Sequence, residues 1–222
     1  MAKAPARERL IEAAFALFDE RGYEQTTVDD IAAQASVGRT TFFRSFRSKE
    51  DVIFPDHDEI LAAIASRLST STPETAAVAV SEAARLVLLH YLSEGGRARS
   101  RYALTSTVPA LRNRERASIQ QYQRIFVDYI AAWMGQGAGT ALRAELMANA
   151  VVTAHNHILR RWLHGNTDTP EADFDAAMTE VVELFGDPPP VTSGVDNEAS
   201  VLVLRTNKDL QDLLPRLQRL LR

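Results

Sequence analysis

Residues 26–50 read TTVDDIAAQASVGRTTFFRSFRSKE, and the pattern of this stretch decides the fold. Thr27 can stand as a helix N-cap, and Asp30 three positions later closes a capping box. A short helix through DDIAAQA then places Ile31 and Ala35 on one face. Ser36-Val37-Gly38 makes a tight break whose valine can plug the space between two helices. Arg39 to Phe46 reads as a second short helix, with Phe42 and Phe46 (i, i+4) inward and Arg39, Thr40, Phe43 and Arg44 outward. Two short helices joined by a turn of three or four residues make a helix-turn-helix, whose second helix enters the DNA major groove.

The charge pattern agrees. Arg39, Arg44, Arg47 and Lys49 fall within eleven residues that contain no acid, whereas residues 8–30 hold Glu8, Glu12, Asp19, Glu20, Glu24, Asp29 and Asp30. Phosphate and base-edge contacts need this concentration of positive charge on and just after the reading helix. A solvated helical face has the same composition, so charge alone leaves both readings open. The helix-turn-helix pattern favours the first.

Beyond this stretch, the 222 residues imply one large domain or two closely packed ones. Hydrophobic residues at 45% and charged residues at 24% are ordinary for a globular chain with a sizeable core. The net charge of −4 still permits DNA binding, because counterion release is local to a basic patch. Cysteine is absent, which excludes disulfide scaffolds and cysteine-ligated zinc. The N-terminus MAKAPARERL has no apolar h-region, and no run of about 18 apolar residues is evident. A soluble, cytoplasmic protein without membrane contact is expected.

In chain order, residues 6–21 carry Leu10, Ile11, Ala14, Phe15, Leu17 and Phe18 at helical spacing, and Gly22 ends that helix. Ser48 with Asp51 is a further capping signature, which predicts a fourth helix from Lys49 to Ser69, kinked near Phe54 by Pro55. Its N-terminus and Lys49 would anchor a phosphate. The whole segment ERLIEAAFALFDERGYEQTTVDDIAAQASVGRTTFFRSFRSKEDVI resembles the DNA-binding domain of TetR-type transcriptional regulators. The resemblance covers about residues 7–54, roughly a fifth of the chain, and rests on the helix 1 pattern, Gly22-Tyr23, Thr26-Thr27, Ile31-Ala32, Ala35, Val37, Phe46 and Ser48-Lys49-Glu50. It departs at Phe43-Arg44, where the family often has an aromatic pair containing tyrosine. Phe43 therefore offers an apolar contact, such as to a thymine methyl, and Arg44 a fork for guanine or phosphate. The candidate DNA contacts are Thr27, Arg39, Thr40, Thr41, Phe43, Arg44, Ser48 and Lys49.

Farther on, helices are expected over about 74–93, 97–106, 110–134, 141–163 and 170–185. The first would bury Val78, Val80, Leu86, Leu89 and Tyr91. The third carries Ile119, Tyr122, Phe126, Tyr129 or Ile130, and Trp133 on one side, as a core stripe commonly does. The TetR resemblance implies that such helices enclose an effector cavity. Tyr122, Phe126, Tyr129 and Trp133 are then candidate walls, and Arg101, Tyr102, His155 and Asn156 candidate polar groups. The apolar content of 141–186 exceeds what one face of two helices needs, which points to a four-helix dimer interface. DPPPVTSGVDN (187–197) reads as a linker, followed by a short strand at Val201–Leu204 and a leucine-striped helix to Leu220.

Enzymatic constellations are weak. His155 and His157 are two apart and point to different helix faces, so they cannot share a metal as an i, i+4 pair would. No Gly-x-Ser-x-Gly elbow or phosphate-binding loop is present. The expectation is an all-α chain without catalytic, metal or cofactor residues. Residues 1–54 form a three-helix DNA-binding domain, 55–186 an effector-binding and dimerisation domain, and 187–222 a linker and extension. Its expected function is that of a homodimeric transcriptional regulator, taken as a repressor, released from a near-palindromic operator by a small molecule. The alternative is an all-helical small-molecule-binding protein or enzyme that no longer binds DNA.

Overall fold

The computed structural model describes residues 4–54, 57–135, 137 and 139–185. Pro55, the linker, the strand and the leucine-striped helix expected beyond it lie outside the described residues. Among the described residues the fold is all-α, with helices and short 3₁₀ turns and no strand.

The N-terminal unit comprises α1 (Ala6–Arg21), α2 (Val28–Gln34) and α3 (Arg39–Ser45). Helix α1 buries the apolar face expected of it, and the chain turns at Gly22, whose φ of +87° suits a residue without Cβ. Thr26 is fully buried, and its hydroxyl donates to the Gly22 carbonyl at 2.9 Å, closing the turn. Thr27 and Asp30 form the capping box read from the sequence, with the Asp30 amide donating to the Thr27 hydroxyl at 3.2 Å.

The α2–α3 turn carries a feature beyond the sequence reading. Ser36 has φ +53°, its amide donates to the Ala33 carbonyl at 3.0 Å, and the Val37 amide donates to the Ala32 carbonyl at 2.9 Å. These two bonds make a Schellman closure with serine at the left-handed position that glycine usually takes. Val37 packs against the N-terminal core, as the plug reading required.

Residues 50–69 correct the sequence expectation. The segment after Lys49 makes a single 3₁₀ turn, Glu50–Val52, and the α-helix begins only at His57 (α4, His57–Ser69). Asp51 is the reason. Its carboxylate accepts from the Arg47 amide at 2.8 Å and pairs with Arg114 at 2.5 Å, so the turn is anchored sideways. Val52, Ile53 and Phe54 then drop into the N-terminal core.

The larger bundle contains α4, α5 (Ala76–Glu94), α6 (Gly96–Thr107), α7 (Pro109–Met134), α8 (Thr140–Leu163) and α9 (Pro170–Phe185). All five helices expected over 74–185 are present within a few residues of their expected ends. Helix α5 is long and apolar enough to cross a membrane by composition, yet its alanine-rich face packs inside the bundle. That packing overturns the expected phase of α5: Val80 is buried, but Val78 (54%), Leu86 (39%) and Leu89 (37%) are exposed. Small side chains let α4, α8 and α9 approach closely, so Ala79, Ala83 and Ala84 take the interior together with Val80, Val87 and Leu88, while Val78, Leu86 and Leu89 face away. Helix α7 buries Leu111 and, seven positions on, the i, i+4 series Ser118, Tyr122, Phe126, Ile130 and Met134.

The two cores meet at the α6–α7 elbow. Leu111 is fully buried in the N-terminal core, and Leu104 and Val108 pack against it. Arg97 pairs with Glu8 at 2.5 Å, and Arg114 lies 5.1 Å over the Phe54 ring.

Candidate DNA-reading surface and ligand cavity

Helix α3 is anchored from beneath. Phe42 is fully buried and Phe46 nearly so, which turns Arg39, Thr40, Phe43 and Arg44 outward. Phe43 is 46% exposed. Arg39 stacks 5.1 Å over that ring, and its guanidinium donates to Asp29 of α2 at 2.6 Å. This pair is exposed, so it contributes little to stability and can open to a phosphate.

Three sequence-predicted contacts sit differently. Thr41 and Ser48 are half-buried. The Lys49 ammonium points inward, donating to the Tyr23 carbonyl at 2.7 Å and the Thr26 carbonyl at 2.9 Å, above the Tyr23 ring at 3.9 Å. Tyr23 in turn donates to Glu50 at 2.6 Å. Burial opposes ionisation of Glu50, but hydroxyls of Ser48 and Tyr23 donate to it and Lys49 stands nearby, so its pKa lies below the usual value. Lys49 therefore braces the α1–α2 turn. The helix N-terminus expected beside it does not form, because Glu50–Val52 is only one 3₁₀ turn.

A cavity of about 270 Å³ lies between α5, α6, α7 and α8. Arg101, Tyr102, Tyr122, Phe126, His155 and Asn156 all line it, as helical phase suggested. Tyr129 and Trp133 do not. Tyr129 meets the Ser71 hydroxyl, and Trp133 donates to the Pro73 carbonyl at 3.1 Å, so both serve the α4–α5 connection. They lie too far along α7 to reach the opening.

Among the charged groups that line the cavity, Arg101 is paired. Arg101 is 3% exposed; it donates to both Glu94 oxygens at 2.6 Å and, through Nε, to the Ile53 carbonyl at 2.6 Å. His155 is buried against Phe174, and its Nδ1 lies 3.3 Å from the Asn156 amide oxygen. Burial pushes its pKa down to about 4, so the ring is neutral at physiological pH. Its Nε2 has no hydrogen-bond partner among the described residues. Glu115 and Phe54 are lining residues that the sequence reading missed. Burial raises the Glu115 carboxyl pKa, against the opposing effects of a Thr105 hydrogen bond and the Arg101 charge. No helical-phase signal marked Phe54, because its position follows from the 3₁₀ turn.

Residues 10–54 match the family described as "Bacterial regulatory proteins, tetR family", and residues 74–188, over half the chain, match the "MftR C-terminal domain" of that group. The chain belongs to the TetR family. That family comprises DNA-binding helix-turn-helix transcriptional regulators. Over 50 residues this TetR-family chain is 44% identical to the HTH-type transcriptional repressor DhaR of Mycobacterium sp. (strain GP1), covering 22% of this chain and 25% of DhaR. It is 52% identical over 46 residues to the HTH-type transcriptional regulator TcmR of Streptomyces glaucescens, covering 21% and 20% of the two chains. The match thus spans a quarter or less of these curated relatives. A TerR/AcrR-family transcriptional regulator from Aquifex aeolicus VF5 shares the fold, with a TM-score of 0.55 at 16% identity over 82% of this chain and 100% of that one.

Proposed function

We propose that this TetR-family regulator is a homodimeric repressor that grips a near-palindromic operator with α3 of each subunit and releases it when a small molecule enters the cavity. The observation that carries the reading is the outward face of α3. Thr40, Phe43 and Arg44 are exposed on a helix fixed by buried Phe42, with Arg39 and Thr27 beside them. Arg44 would read a base edge, Phe43 would make an apolar contact, and Arg39 would take a phosphate after parting from Asp29.

Release by an effector is supported by two residues shared between the regions. Phe54 belongs to the N-terminal core and also lines the cavity. Arg101 lines the cavity and holds the Ile53 carbonyl. A ligand that displaces either would shift α3 relative to the bundle, provided it binds the shifted state better. The two separate cores support the division into a DNA-binding unit, residues 1–54, and an effector and dimer unit, residues 55–186. Dimerisation is supported by Leu142 (62%), Leu146 (49%) and Leu184 (68%), exposed on α8 and α9. The repressor role rests on the description of DhaR, and a cytoplasmic location follows from acting on DNA.

Selection of retained fragments from a random duplex library tests this reading. A two-fold-symmetric motif is expected. Recovery of no motif would leave a helical ligand-binding protein that no longer reads DNA.

A further inference from the structure

We propose that the cavity takes a compact organic anion, a carboxylate on an aromatic or alicyclic body, with its head held at the mouth by Arg112 and Arg116 of α7 and Arg160 of α8. The proposal rests on the cavity being the effector site. It starts from the charges that line the walls. Among the described residues Arg101, Arg112, Arg116 and Arg160 share the lining with a single acid, Glu115. Arg101 is neutralised by Glu94, donating to both of its oxygens at 2.6 Å. Three cations then remain against one carboxylate. Other arginines of the bundle are matched to acids: Arg67 pairs with Glu82, Arg85 with Glu171 and Asp175, and Arg161 with Asp173 at 3.1 Å. No acid pairs with Arg112, Arg116 or Arg160 among the described residues.

Placement gives these charges a use. Arg112 and Arg116 stand one turn apart on α7, and like charges at that spacing disfavour the helix unless an anion lies between them. Arg112 donates through Nε and Nη2 to the Thr105 and Ser106 carbonyls, which fixes its guanidinium and leaves its charge in place. Arg116 and Arg160 are exposed, whereas Tyr122, Phe126 and Val151 of the same cavity are buried. The cavity thus has a basic rim and an apolar, aromatic interior. That arrangement suits a ligand whose body leaves water while its carboxylate meets planar guanidinium forks. The volume of about 270 Å³ lies at the small end for ligand sites, which favours a compact ring body. Glu115 does not cancel the rim. Burial raises its carboxyl pKa and so favours its uncharged form, and the cation whose charge bears on it is Arg101. An organic cation would meet three like charges at the entrance.

Three probes that share one ring system test the proposal on the full-length protein: 1-naphthoate, 1-naphthylmethanol and 1-naphthylmethylammonium. Their affinities are measured by fluorescence titration at pH 7.5. Wild type should bind the naphthoate at least about tenfold more tightly than the alcohol, and the ammonium most weakly. Arg116→Gln with Arg160→Gln alters two exposed positions, so the fold should hold, and naphthoate affinity should drop toward that of the alcohol. Equal binding of naphthoate and alcohol by wild type, tighter binding of the ammonium, or a preference undiminished in the double variant would each overturn the assignment while leaving the cavity as a binding site. Binding of none of the three up to millimolar concentration would overturn the effector-site reading beneath it. The wild-type comparison needs no variant, so a double variant that fails to fold does not blunt the test.

Discussion

Individual side chains in the DNA-reading unit divide into readers and braces. Arg44 is exposed with its fork outward, so Arg44→Ala should cost about 1–3 kcal/mol of operator affinity and relax preference at one base pair. Competition titration against operator and point-mutated operator measures both effects. Lys49 is a brace, because two of its three N–H groups are taken by backbone carbonyls. Lys49→Met should lower unfolding free energy by about 1–3 kcal/mol. A phosphate contact would instead lower the salt slope of DNA binding by about one unit without changing the melting temperature. Ser36 gives a third residue-scale prediction. Its left-handed φ costs about 1–2 kcal/mol for a side chain, against the smaller entropy penalty of glycine, so Ser36→Gly should raise stability by up to about 1 kcal/mol. Denaturant midpoints measure this, and an unchanged midpoint would show the turn to be unstrained. His155 sets a pH dependence. Its folded pKa near 4 lies below the ordinary 6.5, so the unfolded chain binds the proton more readily. Stability is then complete above pH about 6.5 and falls as pH drops toward 4, by about 3 kcal/mol from this group. A variant lacking the imidazole, His155→Asn, should show a flatter profile across that window.

At the scale of elements, much was legible because the signals were local. The capping box at Thr27–Asp30, the stop at Gly22 and the i, i+4 pair Phe42–Phe46 each act within one or two turns, and each stands as read. Errors arose where tertiary packing chose between local options. Helix α5 has apolar residues nearly all round, and only its neighbours' close approach selects the alanine face. The Ser48–Asp51 signature looked like a helix start, but Asp51 is held by Arg114, 63 positions away, and only one 3₁₀ turn forms. In the cavity, helical phase found six of the eight candidates and lost Tyr129 and Trp133 to hydrogen bonds with the α4–α5 connection. Under the proposed release by an effector, the element that would couple cavity to DNA is the α6–α7 elbow, with Arg101 on α6. Removing Arg101 alone would strand Glu94, only 12% exposed, at a cost of about 3–5 kcal/mol. The informative variant is therefore Arg101→Met with Glu94→Gln. A thermodynamic cycle of DNA affinity with and without a saturating small-molecule ligand of the cavity should show the coupling free energy falling toward zero. Coupling equal to wild type would take Arg101 out of the route.

For the whole molecule, the account requires two subunits joined through α8 and α9. Leu142→Asp with Leu146→Asp places charges on exposed positions, so each subunit should keep its fold. Sedimentation at micromolar concentration should then show monomers where wild type sediments as a dimer. The central claim is that exposed α3 residues of such a dimer read a two-fold-symmetric DNA sequence. The most direct measurement is a titration of the full-length protein, at about 150 mM salt, against DNA from upstream of its own gene and against a scrambled duplex of equal length. The account predicts a preference of at least about 10³ for the upstream DNA, with protection of two half-sites one helical turn, roughly 34–36 Å, or a multiple of it apart. Equal affinity for both duplexes, with no paired protection, would contradict it.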